Sequence, residues 1–260
     1  MSNKLLLILG FSFFLSLWSC IPAAAQKQDD RDLKISSALQ NAQLPADLSR
    51  RVLEQYKQQP DQFIKTVTNI TAQDPYLWRL VDKAHGLDAG YEPDDLITLR
   101  GGSYLLNRSG LQLRRAAAET LEVMAKAAKA DGVTLVVSSC YRSYGYQKQV
   151  YERNVQQMGQ AAADRESARP GHSQHQLGFA VDFDSIDDSF AQTKQSQWLE
   201  KNAGRYGWSL SYPKDMEHVT GYRWESWHYR YVGPELSQFI DTYFDGIQQY
   251  ALVFLHHYVR

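Results

Sequence analysis

The sequence has little cysteine and no excess of either charge. Only Cys20 and Cys140 occur among the 260 residues, so a disulfide-stapled fold is excluded. Lysine and arginine number 28 against 29 aspartate and glutamate residues, and no basic run is present. This balance argues against a nucleic-acid-binding face and against a polybasic membrane patch. The predicted partner is therefore a small or peptide-like molecule, with no nucleic acid.

Long apolar runs are also absent, except at the start of the chain. Residues 5–18 are almost wholly apolar but too short to cross a bilayer comfortably, and Ala23-Ala24-Ala25 offers the small residues that signal peptidase needs. We predict that residues 1–25 are a signal peptide and that the protein is exported to the periplasm or cell envelope. The alternative is a lipoprotein signal cut before Cys20, because the residues preceding it loosely resemble a lipobox. Cys20 would then carry a lipid anchor.

The remainder of the chain is predicted to form one main domain with a small helical appendage. Residues 26–75 are polar and helix-prone, and Pro60 divides them into two short helices. Residues 76–246 are predicted as the main domain and residues 247–260 as a C-terminal tail. No internal repeat or low-complexity tract occurs.

Helix and strand signals alternate irregularly along the main domain. Apolar periodicity and turn residues predict helices at 111–130, 144–158 and 195–206, and strands at 133–138, 179–183, 208–212 and 229–232. Because no regular strand-helix-strand repeat is present, the fold class expected is α+β with a mainly antiparallel sheet.

Histidines concentrate in one part of the sequence. His172, His175, His218 and His228 share a segment rich in glycine, tryptophan and carboxylates, whereas His85, His256 and His257 are expected to be solvated or to cap helices. Asp182 lies in an otherwise apolar strand, where its charge is costly unless a cation compensates it. Imidazole and carboxylate together suit zinc, so His175 and Asp182 are candidate ligands.

A second segment completes the candidate zinc site. His228 opens a strand flanked by aromatic residues, and Glu225 lies three residues earlier. Three protein ligands with a fourth position left to water are typical of a catalytic zinc, which activates that water. Glu225 is then the predicted general base. Arg142 follows a buried strand and is a candidate to stabilise an oxyanion.

Cys140 offers a competing interpretation as the nucleophile of a thiol hydrolase. It ends the apolar run at 133–139, so we interpret it as a small buried hydrophobe. The sequence places no base near it.

Three motifs in order resemble a known family. They are Tyr141-Arg142-Ser143-Tyr144 with Gln147, then Ser173-x-His175 followed by Gly178, Ala180 and Asp182, then Glu225-x-Trp227-His228. These motifs resemble the VanY-type D-alanyl-D-alanine carboxypeptidases, within the zinc group that includes lysostaphin-like enzymes, the dipeptidase VanX and the hedgehog fold. The resemblance covers about 160 residues from Tyr76 onward, and it implies the hedgehog/D-Ala-D-Ala-peptidase-like fold.

The resemblance assigns roles to individual positions. It implies His175, Asp182 and His228 as zinc ligands, Glu225 as catalytic base and Arg142 as oxyanion stabiliser; it also implies Gln147, Ser173 and Tyr212 as substrate-binding residues. Departures from the family pattern are few. Ser211 precedes Tyr212 where the family often has arginine, Ser226 replaces a proline, and Cys140 replaces a glycine.

The implied function is removal of a terminal D-alanine from peptidoglycan stem peptides. An L,D-carboxypeptidase or a D,D-dipeptidase of the same fold is an alternative, because loops decide between them. A non-catalytic wall-binding module with a structural zinc is a further alternative. A fourth protein ligand, from His172 or His218, would favour it.

Overall fold

The computed structural model describes residues 23–260. Helices, numbered in chain order, are α1 Ala23–Asn41, α2 Ala46–Gln58, α3 Pro60–Ala72, α4 Pro75–Trp78, α5 Arg115–Ala130, α6 Tyr144–Met158, α7 Gln160–Glu166, α8 Lys194–Asn202, α9 Glu217–Thr220, α10 Pro234–Tyr243 and α11 Gln248–Tyr258. Strands are β1 Leu96–Thr98, β2 Leu105–Leu106, β3 Gln112–Arg114, β4 Val136–Ser139, β5 Ala180–Phe183, β6 Trp208–Tyr212 and β7 Glu225–Tyr231. Residues 1–22, which include the lipobox and most of the predicted signal peptide 1–25, lie outside this range, and Ala23–Ala25 form the start of α1.

A five-stranded sheet, in the order β2-β4-β5-β7-β6, forms the centre of the molecule. Strand β2 pairs parallel with β4, and the other neighbours are antiparallel. Together with a separate antiparallel β1-β3 pair and the surrounding helices, this confirms the α+β class. Helix α6 matches the predicted 144–158. The helix predicted from 111 starts later, at Arg115, because residues 112–114 pair with β1 instead.

The two faces of this sheet differ in chemistry. Alternation along β5 and β7 sends Val181 and Tyr229 to one face and Asp182 and His228 to the other. The apolar face packs against α5 and α8 in a first core, to which Leu121 contributes. The opposite face carries buried polar side chains, including serines of β6 and the residues of the candidate site.

The terminal segments build a second apolar core. Helices α1, α2, α3, α10 and α11 contribute fully buried aromatic and aliphatic side chains, with Phe63 in edge contact with Phe239 and Phe254. The residues predicted as a tail therefore include a buried helix, α11, which packs on α1 and α10. Within residues 23–260, no helix is both long and apolar enough to cross a membrane.

Arg230 joins the polar face of the sheet to the preceding helical segment. Its side chain is fully buried on β7, and Nη2 donates to the carbonyl oxygens of Tyr76, Leu77 and Arg79 at 3.0, 3.1 and 2.9 Å. These carbonyls lie at the end of α4, where backbone acceptors lack partners within the helix. Burial lowers the pKa of Arg230 to about 9. The guanidinium thus anchors α4 to the sheet.

Candidate zinc site

Three side chains predicted as metal ligands meet on the polar face of the sheet. Asp182 on β5 is directly paired with His228 on β7, so sheet register alone brings these two together. His175 comes from a 3₁₀ helix, Gln174–Leu177, that precedes β5. One ligand atom from each of the three lies within 4.8 Å of the others, and all three residues are buried.

A left-handed glycine sets the approach of His175 to the strand. Gly178 ends the 3₁₀ helix with φ +74°, a conformation that residues with a side chain rarely adopt. A Cβ at this position would also stand 2.8 Å from Cγ of Arg114. The bend therefore depends on glycine, and it returns the chain into β5 so that His175 faces Asp182.

The hydrogen bonds of the two imidazoles leave the nitrogens that face Asp182 free for a metal. Nδ1 of His175 lies 2.7 Å from the carbonyl oxygen of Cys140, and Nε2 lies 3.1 Å from Oδ2 of Asp182. In His228, Nε2 lies 3.2 Å from Oε1 of Gln174, and Nδ1 lies 2.8 Å from Oδ1 of Asp182. A hydrogen-bond acceptor behind each ring fixes the tautomer that zinc requires. Two nitrogens and one carboxylate therefore form a donor set suited to zinc.

The charge state of the site also fits a cation. Burial alone would raise the pKa of Asp182, but hydrogen bonds and charge from His175 and His228 outweigh it and hold the pKa well below the usual 3.8. Burial lowers the pKa of His175 to about 4, against the opposing effect of Asp182. At neutral pH the site thus contains an ionised carboxylate and a neutral imidazole at His175, which are the forms that bind metal.

Glu225 lies at the edge of this group without joining it. Its Oε2 is 3.9 Å from Nδ1 of His228, and its side chain is 12% exposed, against 6% for Asp182. Burial raises the pKa of Glu225 well above its usual 4.5, and the negative charge of Asp182 adds to the shift. Glu225 therefore holds a proton more readily than an ordinary glutamate, as a general base next to the ligands requires.

Arg142 reaches the same site from the loop after β4. Its Nη1 donates to Oε1 of Gln147 at 2.7 Å, and Nη2 donates to Oγ of Ser139 at 3.1 Å. The guanidinium also lies 3.9 Å from Asp182. Gln147 is fully buried, and its amide nitrogen donates to the carbonyl oxygen of Ala168 at 2.6 Å. Gln147 thus lies behind Arg142 and holds it in place.

A groove of about 630 Å³ opens over the three candidate ligands. Ser173 and Tyr212, both predicted to bind substrate, line it together with Arg142 and Glu225. The Tyr212 ring lies 4.9 Å from the His228 ring between centroids, and Ser173 accepts a hydrogen bond from the His175 backbone amide. Gln147, which is also predicted to bind substrate, is not among the described residues that line this groove.

The other histidines and the buried cysteine stay outside the group. Nδ1 of His172 contacts the carbonyl oxygen of Asp82, and His218 lines a separate cavity near α11. Within residues 23–260, neither joins the three candidate ligands. Cys140 is fully buried, and burial raises the pKa of its thiol well above 9.0. It contributes its backbone carbonyl to the site, not a thiolate.

Comparisons with known proteins agree with this geometry. The family model described as VanY, D-alanyl-D-alanine carboxypeptidase, matches residues 110–234. A putative carboxypeptidase YodJ of Bacillus subtilis (strain 168) is 35% identical over 202 residues, which cover 72% of this chain and 74% of that protein. The chain belongs to the VanY family.

Two solved peptidase structures resemble this VanY-family chain in fold. The LdcB LD-carboxypeptidase matches with a TM-score of 0.60 and 33% identity, covering 67% of this chain and 89% of its own. A Zn(II) complex of a variant of the vancomycin resistance D,D-pentapeptidase VanY matches with a TM-score of 0.57 and 31% identity. The match covers 71% of this chain and 99% of that chain. With the His-Asp-His group, these matches make the protein a zinc metallo-carboxypeptidase.

Sequence reasoning assigned no role to several residues that support the VanY-family site. Gln174 contacts His228, Ser139 contacts Arg142, and the Cys140 carbonyl contacts His175. Gln174 and Ser139 are polar residues within or beside buried segments, which is the one signal in the sequence that singles them out. Their partners lie on other elements and cannot be identified from local spacing.

Proposed function

We propose that the protein removes the terminal D-alanine from peptidoglycan stem peptides, with zinc held by His175, Asp182 and His228. The observation that carries the proposal is the convergence of these three buried side chains beside Glu225 and Arg142 at the base of one groove. The matching family acts on D-alanyl-D-alanine, which ends such peptides. A structural zinc module would not require a base and a guanidinium next to its ligands.

Each side chain at the proposed site has a distinct task. When bound, zinc activates water and polarises the carbonyl of the scissile bond. Glu225 takes a proton from the attacking water and passes it to the leaving amine. Arg142, held by Gln147 and Ser139, donates to the oxygen on which negative charge develops.

Substrate binding is assigned to the walls of the groove. Ser173 and Tyr212 line the groove next to the ligands and are proposed to contact the peptide backbone or its terminal carboxylate. Gln147 is proposed to act through Arg142, because both ends of its amide are already engaged. The proposed peptidase domain is residues 76–246.

Likeness to an LD-carboxypeptidase supports a second candidate activity in the same site. In that case the enzyme would shorten tetrapeptide stems to tripeptides, whereas a D,D-carboxypeptidase would shorten pentapeptides to tetrapeptides. A D,D-dipeptidase would instead hydrolyse free D-alanyl-D-alanine. Mass spectrometry of all three digests, with and without a chelator, distinguishes these activities, and we expect pentapeptide trimming that the chelator abolishes.

The variant Glu225→Gln tests the mechanism. We expect it to lower the rate of D-alanine release by about 10²–10⁴-fold, because it removes the general base, and to leave zinc content and thermal unfolding close to wild type. Glu217→Gln is a matched control, since Glu217 is a surface partner of Arg165. Wild-type activity in Glu225→Gln would contradict the assigned role.

We propose that residues 1–25 direct export and are then removed. Two arguments support this proposal. The sequence of residues 1–25 has the pattern of a signal peptide, and the proposed substrate, a cell-wall peptide, lies outside the cytoplasm. Mass spectrometry of the mature N-terminus separates cleavage after Ala25, which we expect, from a lipidated Cys20. An intact Met1 on protein recovered from the native cell would contradict export by this route.

A further inference from the structure

A chain of buried amides runs from the candidate zinc ligand His228 to the last helix of the molecule. Oε1 of Gln174 lies 3.2 Å from Nε2 of His228 and accepts from Oγ of Ser211 at 2.7 Å. Nε2 of Gln174 donates to Oε1 of Gln248 at 3.3 Å, and Nε2 of Gln248 donates to the carbonyl oxygen of Ser209 at 3.2 Å. These five residues are each less than a tenth exposed.

The orientation of the Gln174 amide follows from its neighbours. The carbonyl oxygen of Ser209 can only accept, so Nε2 of Gln248 faces it and Oε1 of Gln248 faces Gln174. Gln174 must then present its Nε2 to Gln248, which leaves its Oε1 to accept from Oγ of Ser211 at 2.7 Å. That oxygen is the one facing His228, and it therefore accepts the Nε2–H of the ring. With the proton on Nε2, the lone pair of Nδ1 points at Asp182 and is free for a metal.

Gln248 holds the Gln174 amide on the side that faces away from His228. It is the first residue of α11 and is 1% exposed. Its Oε1 accepts from the Gln174 amide, so a reversed Gln174 would set two oxygens against each other. Gln248 lies beyond residues 110–234, the part of the chain that matches the family model. The terminal helical core thus reaches the metal site through the side chain of Gln248.

We propose that Gln174 is a positioning residue that fixes the metal-binding tautomer of His228, and that Gln248 on α11 keeps Gln174 in register. This inference rests on the proposed function, since it requires that His228 binds zinc. Its consequence is that the C-terminal helix sets zinc affinity as well as stability.

The test is the zinc dissociation constant of the purified full-length protein, measured by competition with a chromogenic chelator. We expect Gln174→Met to weaken zinc binding by about 10- to 100-fold, as is typical when a second-layer partner of a ligand is removed. Gln174→Glu keeps an acceptor oxygen and should restore affinity to within about threefold of wild type. Equal weakening in both variants would contradict the proposed role.

Coupling between the two glutamines is tested by a double-mutant cycle. Gln248→Met alone should weaken zinc binding by about threefold or more, yet have little further effect once Gln174 is already methionine. Additive effects would show that Gln248 does not act through Gln174 and would overturn that part of the proposal.

Gln176→Met is the matched control, because Gln176 lies on the same 3₁₀ helix and is fully buried. Its amide donates to the carbonyl oxygens of Asp88 and Tyr91 and does not contact His228. We expect it to lower thermal stability while zinc affinity stays within twofold of wild type. If Gln176→Met weakened zinc binding as much as Gln174→Met, both glutamines would act only through the stability of the fold, which would contradict the positioning role of Gln174. Failure of the wild type to bind zinc would instead refute the proposed function.

Discussion

The polar face of the central sheet and the terminal helical core are both buried, but they are built from opposite kinds of side chain. Around the candidate zinc site, Asp182, His228 and Arg230 are withdrawn from water on adjacent strands. In the terminal core, aromatic rings such as Phe63 and Phe254 meet edge to face with no charged group between them. One region concentrates charge, and the other buries apolar surface.

The difference indicates how function and stability are divided in this molecule. Buried charges lose their hydration, and their mutual attraction often fails to restore that free energy. Apolar burial stabilises a fold by about 25 cal/mol per Å². The terminal helices therefore contribute stability that the metal-binding face does not, and the side chain of Gln248 links the two regions. Variants placed on either side should separate the two properties.

The largest expected effect is loss of metal binding on the polar face. Asp182→Ala removes the carboxylate that both imidazoles face, so we expect zinc affinity to fall by more than about 100-fold and hydrolysis to become undetectable. Zinc content after dialysis measures this. The control is Asp61→Ala, which removes an exposed carboxylate that pairs with Arg31. If Asp182→Ala retained one zinc ion per protein molecule, Asp182 would not be a zinc ligand.

In the terminal core, we expect a substitution to have a large effect on stability and little effect on zinc affinity. Phe63 is fully buried and contacts Tyr56, Phe239 and Phe254, so Phe63→Ala should lower the free energy of unfolding by about 3–5 kcal/mol. Urea titration gives this value. In the folded fraction, zinc affinity should stay within about twofold, because the amide chain through Gln248 is intact. Strong loss of zinc affinity would show that the two regions are not separable.

The smallest expected effect concerns acid stability near the end of α11. Burial, with the nearby charge of Arg260, lowers the pKa of His256 from 6.5 to about 4. Between pH 6.5 and 4 the unfolded chain therefore binds a proton that the folded chain does not, and stability is lost as the pH falls. His256→Gln should make this loss shallower in protein kept metal-free with a chelator. Parallel stability curves for variant and wild type would contradict it.

The sequence points to His175, Asp182 and His228, and the structure brings these three side chains together. Asp182 stands out because a charged residue in an apolar strand needs compensation, and His175 is tied to it by the short bend at Gly178. The α+β class likewise follows from irregular alternation of helix and strand signals, and helix α6 has its predicted ends. These signals are local, so the sequence carries them directly.

Long-range pairing accounts for what the sequence did not reveal. Residues 112–114 continue a helical pattern, yet they pair with β1 because a strand partner is available there. The family resemblance implies that Gln147 lines the pocket, but its side chain is buried against Arg142 and Ala168. Gln174 and Gln248 meet across 74 residues. Such contacts depend on tertiary packing, so no periodic pattern in the sequence indicates them.

X-ray absorption at the zinc edge of the zinc-loaded wild-type protein tests the central claim most directly. We predict nitrogen and oxygen ligands at about 2.0–2.2 Å from the zinc, with multiple-scattering features of two imidazoles and no sulfur. A sulfur shell near about 2.3 Å, an imidazole count other than two, or no bound zinc would contradict the site formed by His175, Asp182 and His228.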